Sequence, residues 1–195
     1  MHNYALAIHG GAGTILQSTM TAEKELAYKT GLQDAIEAGE SILKSGGSAF
    51  DAVESAIIQL ENNPLFNAGK GAVFTNTGTH EMDASIMNGK DLMAGAIAGV
   101  QGVKNPISLA RAVMEKSEHV LLTGNGAMDF AKKVNAPFEN EEYFFVQLRY
   151  DQLQQAKQSN SMILDHTEDK IEHGEKKFGT VGCVALDAEG KIAVA

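Results

Sequence analysis

Two amphipathic stripes joined by a glycine pair constrain this chain more than any other feature. Tyr28, Leu32, Ala35, Ile36, Gly39, Ile42 and Leu43 fall on one helical face, and Ala49, Ala52, Val53, Ala56, Ile57 and Leu60 fall on a second. Thr21 suits the N-cap of the first helix and Gly46-Gly47 its end. Ser48 followed by Asp51 makes a capping pair for the second, which Asn62-Asn63-Pro64 stops. A helix with one apolar face has to bury it. The short connection sends the second helix back along the first, so the spacing predicts an antiparallel pair lying on a sheet.

The strands of that sheet are legible around the helices. Tyr4 to Ile8 reads as a short buried strand running into His9-Gly10-Gly11-Ala12-Gly13. From Ala72 to Val100, short apolar runs are punctuated by Thr77-Gly78 and Asn88-Gly89, which are hairpin-type turns. Leu92 to Val100 is small and apolar throughout, the texture of a strand buried on both faces. Asn105-Pro106 opens a third helix, striped by Ile107, Ala110, Val113 and Met114. Val120–Leu122 reads as a strand and Met128–Val134 as a short helix. Residues 151–177 are rich in Gln, Ser, Asp, Glu and Lys and read as a mobile surface linker. A strand follows from Phe178 to Leu186, then a turn at Asp187–Gly190 and a return strand from Lys191. That strand is interrupted at Ala195, so the single domain spanning 1–195 is expected to be incomplete.

Charge and cysteine usage bound the function. Sixteen Lys and Arg against 25 Asp and Glu give a formal charge of −9. That balance opposes nucleic-acid or acidic-membrane binding, which needs clustered cations. One cysteine, Cys183, forbids an intrachain disulfide. With no secretory leader pattern at the N-terminus, a cytoplasmic setting is expected. His9-Gly10-Gly11 resembles the oxyanion loop of lipases, but the required G-x-S-x-G elbow is missing. No Walker A, H-E-x-x-H, zinc-spaced Cys/His or G-x-G-x-x-G pattern occurs either. Asp83, His80, His119, His173 and the methionines suggest no chemistry, and Cys183 reads as a small buried hydrophobe.

The pattern that could carry chemistry is Gly179-Thr180, delivered by the polar linker to the start of an apolar strand. A threonine hydroxyl is a weak nucleophile that needs a nearby base. If Thr180 became a chain terminus, its own amine, with a pKa of about 7.7–8.0, would serve. The hydroxyl would first attack the Gly179 carbonyl, moving the acyl group from nitrogen to oxygen, and water would release the ester. A glycine tolerates the backbone strain of that step. Read from these residues alone, an ordinary β-branched strand residue is the plainer reading of Thr180.

Longer segments change that balance. AIHGGAG (7–13), GGSAFDAVESAI (46–57), LENNPLFNAGKGAVFTNTGTHEMDASIMNG (60–89), AGAIAGVQGVKNPISLARAVMEKSEHV (94–120) and GTVGCVALD (179–187) resemble the plant-type L-asparaginase/isoaspartyl peptidase family of N-terminal nucleophile hydrolases. The resemblance implies an α+β fold, a four-layer αββα sandwich. It implies a precursor cut before Thr180 into an α-subunit (1–179) and a β-subunit beginning at 180, assembled as a dimer of αβ units. Its activities are hydrolysis of L-asparagine and of β-aspartyl dipeptides, with Thr180 matching the nucleophile. It also implies a structural sodium ion held by the backbone carbonyls of Leu60, Glu61, Asn63, Phe66, Ala68 and Lys70. Asn67, on that loop, and Gly10 and Gly11 would lie beside the nucleophile in supporting roles. By residue type alone, 60–71 is a helix-ending loop, Asn67 a self-bonded turn residue and Gly10-Gly11 a tight strand-to-helix turn.

The family's substrate-binding Arg, Asp and Gly and its oxyanion Thr and Gly fall beyond Ala195, so residues 1–195 are expected to be inactive unless another segment completes them. A glycosylasparaginase-like or taspase-like hydrolase, and a non-enzymatic binding partner, remain alternatives on the same pattern.

Overall fold

The computed structural model describes residues 3–11, 20–159 and 181–195. Six strands form one mixed sheet: β1 (Ala5–His9), β2 (Met82–Asn88), β3 (Ala94–Val100), β4 (Leu121–Thr123), β5 (Gly182–Leu186) and β6 (Ile192–Val194), in the order β1-β5-β6-β2-β3-β4. All neighbours are antiparallel except β3 and β4, which are parallel. The helices are α1 (Ala22–Lys44), α2 (Ala49–Asn62), α3 (Pro106–Lys116), α4 (Gly124–Lys133), α5 (Glu141–Phe144) and α6 (Gln147–Ser159).

The expected helix pair forms, for the expected reasons. Thr21 Oγ1 accepts from Lys24 N, and Ser48 Oγ accepts from Asp51 N. Between the two helices, Gly46 N and Gly47 N donate back to the Leu43 and Ile42 carbonyls. α1 packs on α2, α2 lies over β5 and β6, and α3 lies over β2 and β3. The helix-covered sheet face carries Cys183, Ala185, Ala193, Ile86 and Ile97, all buried. It interleaves with Val53, Ala56, Ile57 and Leu60 of α2 and with Ile107, Ala110 and Val113 of α3. The end of β5 is tied to the start of α2 by Asp187, whose carboxylate accepts from Ala49 N, Glu189 N and Lys191 N.

The opposite sheet face is open among the described residues. Ala7, Val184, Val194, Met87 and Ala94 lie across from one another on five successive strands. Val184 is 43% and Val194 47% exposed.

Three features depart from expectation. β3 is buried on one face only, through Gly95, Ile97 and Val100, while Leu92 and Met93 ahead of it are exposed. Its small residues answer to the close approach of α3, since a Cβ on Gly95 would run into the Ala110 carbonyl. The β2–β3 connection is a five-residue loop, not a tight Asn-Gly turn, and its positive φ of 62° falls on Leu92. Gly89 N instead donates to Ile192 O of β6. Finally, 151–159 belong to α6. Polarity signals little burial, but Gln, Leu, Arg, Ala and Lys are good helix formers, and Arg149 anchors the helix from within. The rest of the expected linker lies outside the described residues.

Candidate active site

Three separate stretches of chain meet at one end of the sheet. His9, the last residue of β1, pairs with Gly182, the first of β5. Gly10 and Gly11 therefore follow directly beside the start of β5. Gly10 is pressed against the loop that ends α2, where a Cβ would come within 3.1 Å of the Phe66 ring and 2.9 Å of Leu32. Asn67 is next in that loop. Asn67, Asp83, Ser85, Val181 and Ala195 line a cleft of about 470 Å³. Thr180 and Gly179 lie outside the described residues, but Val181, the next residue along, is on the cleft wall. The structure thus brings Asn67 and the residue that follows Thr180 to one cleft; Gly10 packs against Phe66, the neighbour of Asn67, and neither Gly10 nor Gly11 is on the cleft wall.

Local bonding fixes each of these groups. Asn67 Oδ1 accepts from Val73 N at 2.9 Å, so the carboxamide bridges the 3-10 turn Gly69–Gly71 between them. Gly11 N donates to His9 Nδ1 at 3.2 Å. Asp83 sits at an irregularity in the β2–β3 register, where its Oδ1 accepts from Gly99 N at 2.8 Å. Sequence reading could not find that local role, because it depends on a partner 16 residues away.

The loop from Leu60 to Gly71 is wound tightly on its own carbonyls. Leu60 O accepts from Asn63 N, Asn63 O from Phe66 N, Phe66 O from Ala68 N, and Ala68 O from Gly71 N. Gly69 has a φ of +50°, and a Cβ there would overlap the Glu61 carbonyl. A Cβ on Gly71 would overlap the Phe66 carbonyl and meet the Pro64 carbonyl at 2.7 Å. The backbone is thus packed against carbonyl oxygens at both positions, with no room for a side chain at either. Each carbonyl that already accepts one bond keeps a second lone pair. Neutral oxygens in that arrangement suit a hard cation of low charge. Among the described residues, no group of three His, Cys, Asp or Glu side chains could hold a metal ion.

The side chain of Glu61 does something else. It is 3% exposed, and its carboxyl accepts from Ile107 N at 2.8 Å and Asn105 Nδ2 at 3.1 Å. It thus caps the start of α3 from α2, where Asn105 makes no side-chain cap of its own. Burial pushes the carboxyl up to about 8, against the pull of those two donors. Cys183, on the helix-covered face of β5, has its thiol pushed up to about 12 by burial, which removes it from nucleophilic chemistry.

Fold and site together define an α/β protein whose cleft is lined, among the described residues, by small apolar side chains with Asn67, Ser85 and the carboxylates Glu61, Glu81 and Asp83. The chain belongs to the asparaginase family: the model described as "Asparaginase" matches residues 2–195. Among curated proteins it is 46% identical to the isoaspartyl peptidase of Salmonella typhimurium, covering 100% of this chain and 62% of that protein. It is 44% identical to the putative isoaspartyl peptidase/L-asparaginase of Dictyostelium discoideum, over 97% of this chain and 62% of the other. A plant-type L-asparaginase of Pyrococcus abyssi is 46% identical over 97% of this chain and 61% of its own length. The chain therefore spans about three fifths of the length of the curated relatives it matches. Among the described residues, no helix is long and apolar enough to cross a membrane.

Proposed function

We propose that these residues form part of an amidohydrolase that cleaves its own chain between Gly179 and Thr180 and then hydrolyses L-asparagine, β-aspartyl dipeptides or both. The observation that carries the reading is the placement of Asn67 and Val181, the residue after Thr180, on the wall of one cleft, in a chain of this family.

In the cutting step, the Thr180 hydroxyl adds to the Gly179 carbonyl. The C–N bond breaks as the acyl group moves to oxygen, the amine of Thr180 takes the proton, and water hydrolyses the ester. That amine then serves as base for the same hydroxyl. The hydroxyl attacks the side-chain amide carbonyl of the substrate and expels ammonia or an amino acid. A second water releases aspartate. Base and nucleophile belong to one residue, so little alignment entropy is lost between them.

The carbonyls of Leu60, Glu61, Asn63, Phe66, Ala68 and Lys70 would hold a sodium ion, which would supply bracing charge, not chemistry, to the loop that carries Asn67. The open apolar face of the sheet supports a four-layer sandwich, since an exposed row of this kind is a surface to be covered. A second sheet from the remainder of a longer protein is the proposed cover, with the cleaved α- and β-subunits assembling as a dimer of αβ units in the cytoplasm.

The test is made on the full-length protein. Mass spectrometry is expected to show two chains split after Gly179, and Thr180→Ala to abolish both splitting and turnover. Intact chain with full activity would overturn the mechanism. Assaying asparagine, β-aspartyl dipeptides and glycosylated asparagine in parallel assigns the substrate.

A further inference from the structure

Arg149 is buried to 2% exposure in α6, a helix whose other residues are mostly polar. A guanidinium taken out of water costs several kcal/mol unless its donors are well used. Arg149 Nε donates to the Gly71 carbonyl at 3.1 Å, and an Nη donates to Gln152 Oε1 at 3.3 Å. Gly71 ends the 3-10 turn that separates Asn67 from Val73. The Asn67 carboxamide closes over that same turn through Val73 N. On its far side Val73 is held again, its carbonyl 3.3 Å from His80 Nδ1, with the His80 ring tilted against Phe74 at a centroid distance of 4.0 Å. The loop is therefore gripped at Gly71 and at Val73, the two points that set where the Asn67 side chain can go.

We propose that Arg149 is a positioning residue for the hydrolytic reaction: its grip on the Gly71 carbonyl fixes the turn that aims Asn67 into the cleft. This rests on the reading of Asn67 as a group beside the Thr180 nucleophile. On this proposal Arg149 acts through the turn, so that contribution exists while Asn67 is present.

A double-mutant cycle in the full-length protein tests this. The variants are Arg149→Met, Asn67→Ala and the pair together, each checked for fold by circular dichroism. kcat and KM are measured per molecule of cleaved enzyme, on asparagine and on a β-aspartyl dipeptide. Misplacing a supporting group by an ångström costs about 10- to 100-fold in rate, so Arg149→Met is expected to lower kcat by that factor with KM nearly unchanged. Arg149→Lys, which keeps one donor, is expected to recover part of the loss. In the Asn67→Ala background, Arg149→Met is expected to cost nothing further. Losses that multiply, or an Arg149→Met enzyme within about twofold of the parent, overturn the proposal. If Arg149→Met does not fold, a cycle of Arg149→Lys with Asn67→Ala decides by the same criterion. An active Thr180→Ala enzyme would instead sink the nucleophile reading and leave the cycle to be judged separately.

Discussion

Replacing Asp187 with Asn keeps the shape of the joint between β5 and α2 and removes its charge. Asp187 is 6% exposed. Its Oδ2 accepts from Ala49 N at 3.1 Å, and its Oδ1 accepts from Glu189 N at 3.1 Å and Lys191 N at 2.9 Å. An amide has one oxygen. If it faces the turn, the new NH2 confronts Ala49 N–H and that donor is stranded; if it faces α2, two turn donors are stranded. A hydrogen bond to a charged group is worth about 1.5–3 kcal/mol, and a carboxylate at a helix N-terminus adds about 0.3–1 kcal/mol. Asp187→Asn is therefore expected to cost about 2–4 kcal/mol. In a chain of this size that is a fall in Tm of roughly 5–15 °C. Burial by itself would raise this carboxyl's pKa, yet the three N–H donors and Lys191 hold it below the usual range. The stabilisation is thus present above the unfolded value, about pH 4, and is lost as pH falls through the lower folded value. Urea and thermal unfolding of parent and variant at pH 7, 5 and 3 read this directly. The gap should hold from 7 to 5 and narrow by pH 3. A variant within about 0.5 kcal/mol of the parent at pH 7 would refute the reasoning.

Gly69→Ala combines a left-handed φ with overlap on the Glu61 carbonyl and is expected to cost more than about 2 kcal/mol. Gly78→Ala, with φ +88° but open space around it, should cost about 1 kcal/mol, and thermal melts of the pair separate strain from collision. Cys183 should resist a thiol-reactive dye in the native protein at pH 8 and react at once in urea; fast native labelling would contradict its buried, raised-pKa state. Val194→Asp tests the cover over the open sheet face. In the full-length protein it should cost more than about 2 kcal/mol if a second sheet lies there, and within about 0.5 kcal/mol if the face meets water.

Elements that rest on local rules are legible in the letters themselves. The two helices, their caps at Thr21 and Ser48, Pro106 at the start of α3 and the Asp187–Gly190 turn each depend on residues within one turn of each other. The α6 helix escapes a reading that weighs how little a polar segment buries and not how well it forms helix. In the Leu92–Val100 stretch, small residues suggest burial on both faces, whereas one approaching helix accounts for them. Resemblance alone singles out candidate site residues such as Asn67 and Gly10; residue type offers only turns.

Sequence by itself determined the periodicities, the punctuation and the family, because these are written in neighbouring side chains. Only the tertiary structure decided that His9 pairs with Gly182, that Phe66 presses on Gly10 and that Arg149 reaches Gly71. Those contacts join positions from tens of residues to more than a hundred apart, and much of the bonding runs through backbone carbonyls and amides. Every residue carries the same carbonyl, and all but proline the same amide N–H, so nothing in the letters distinguishes the ones that a fold will bring together.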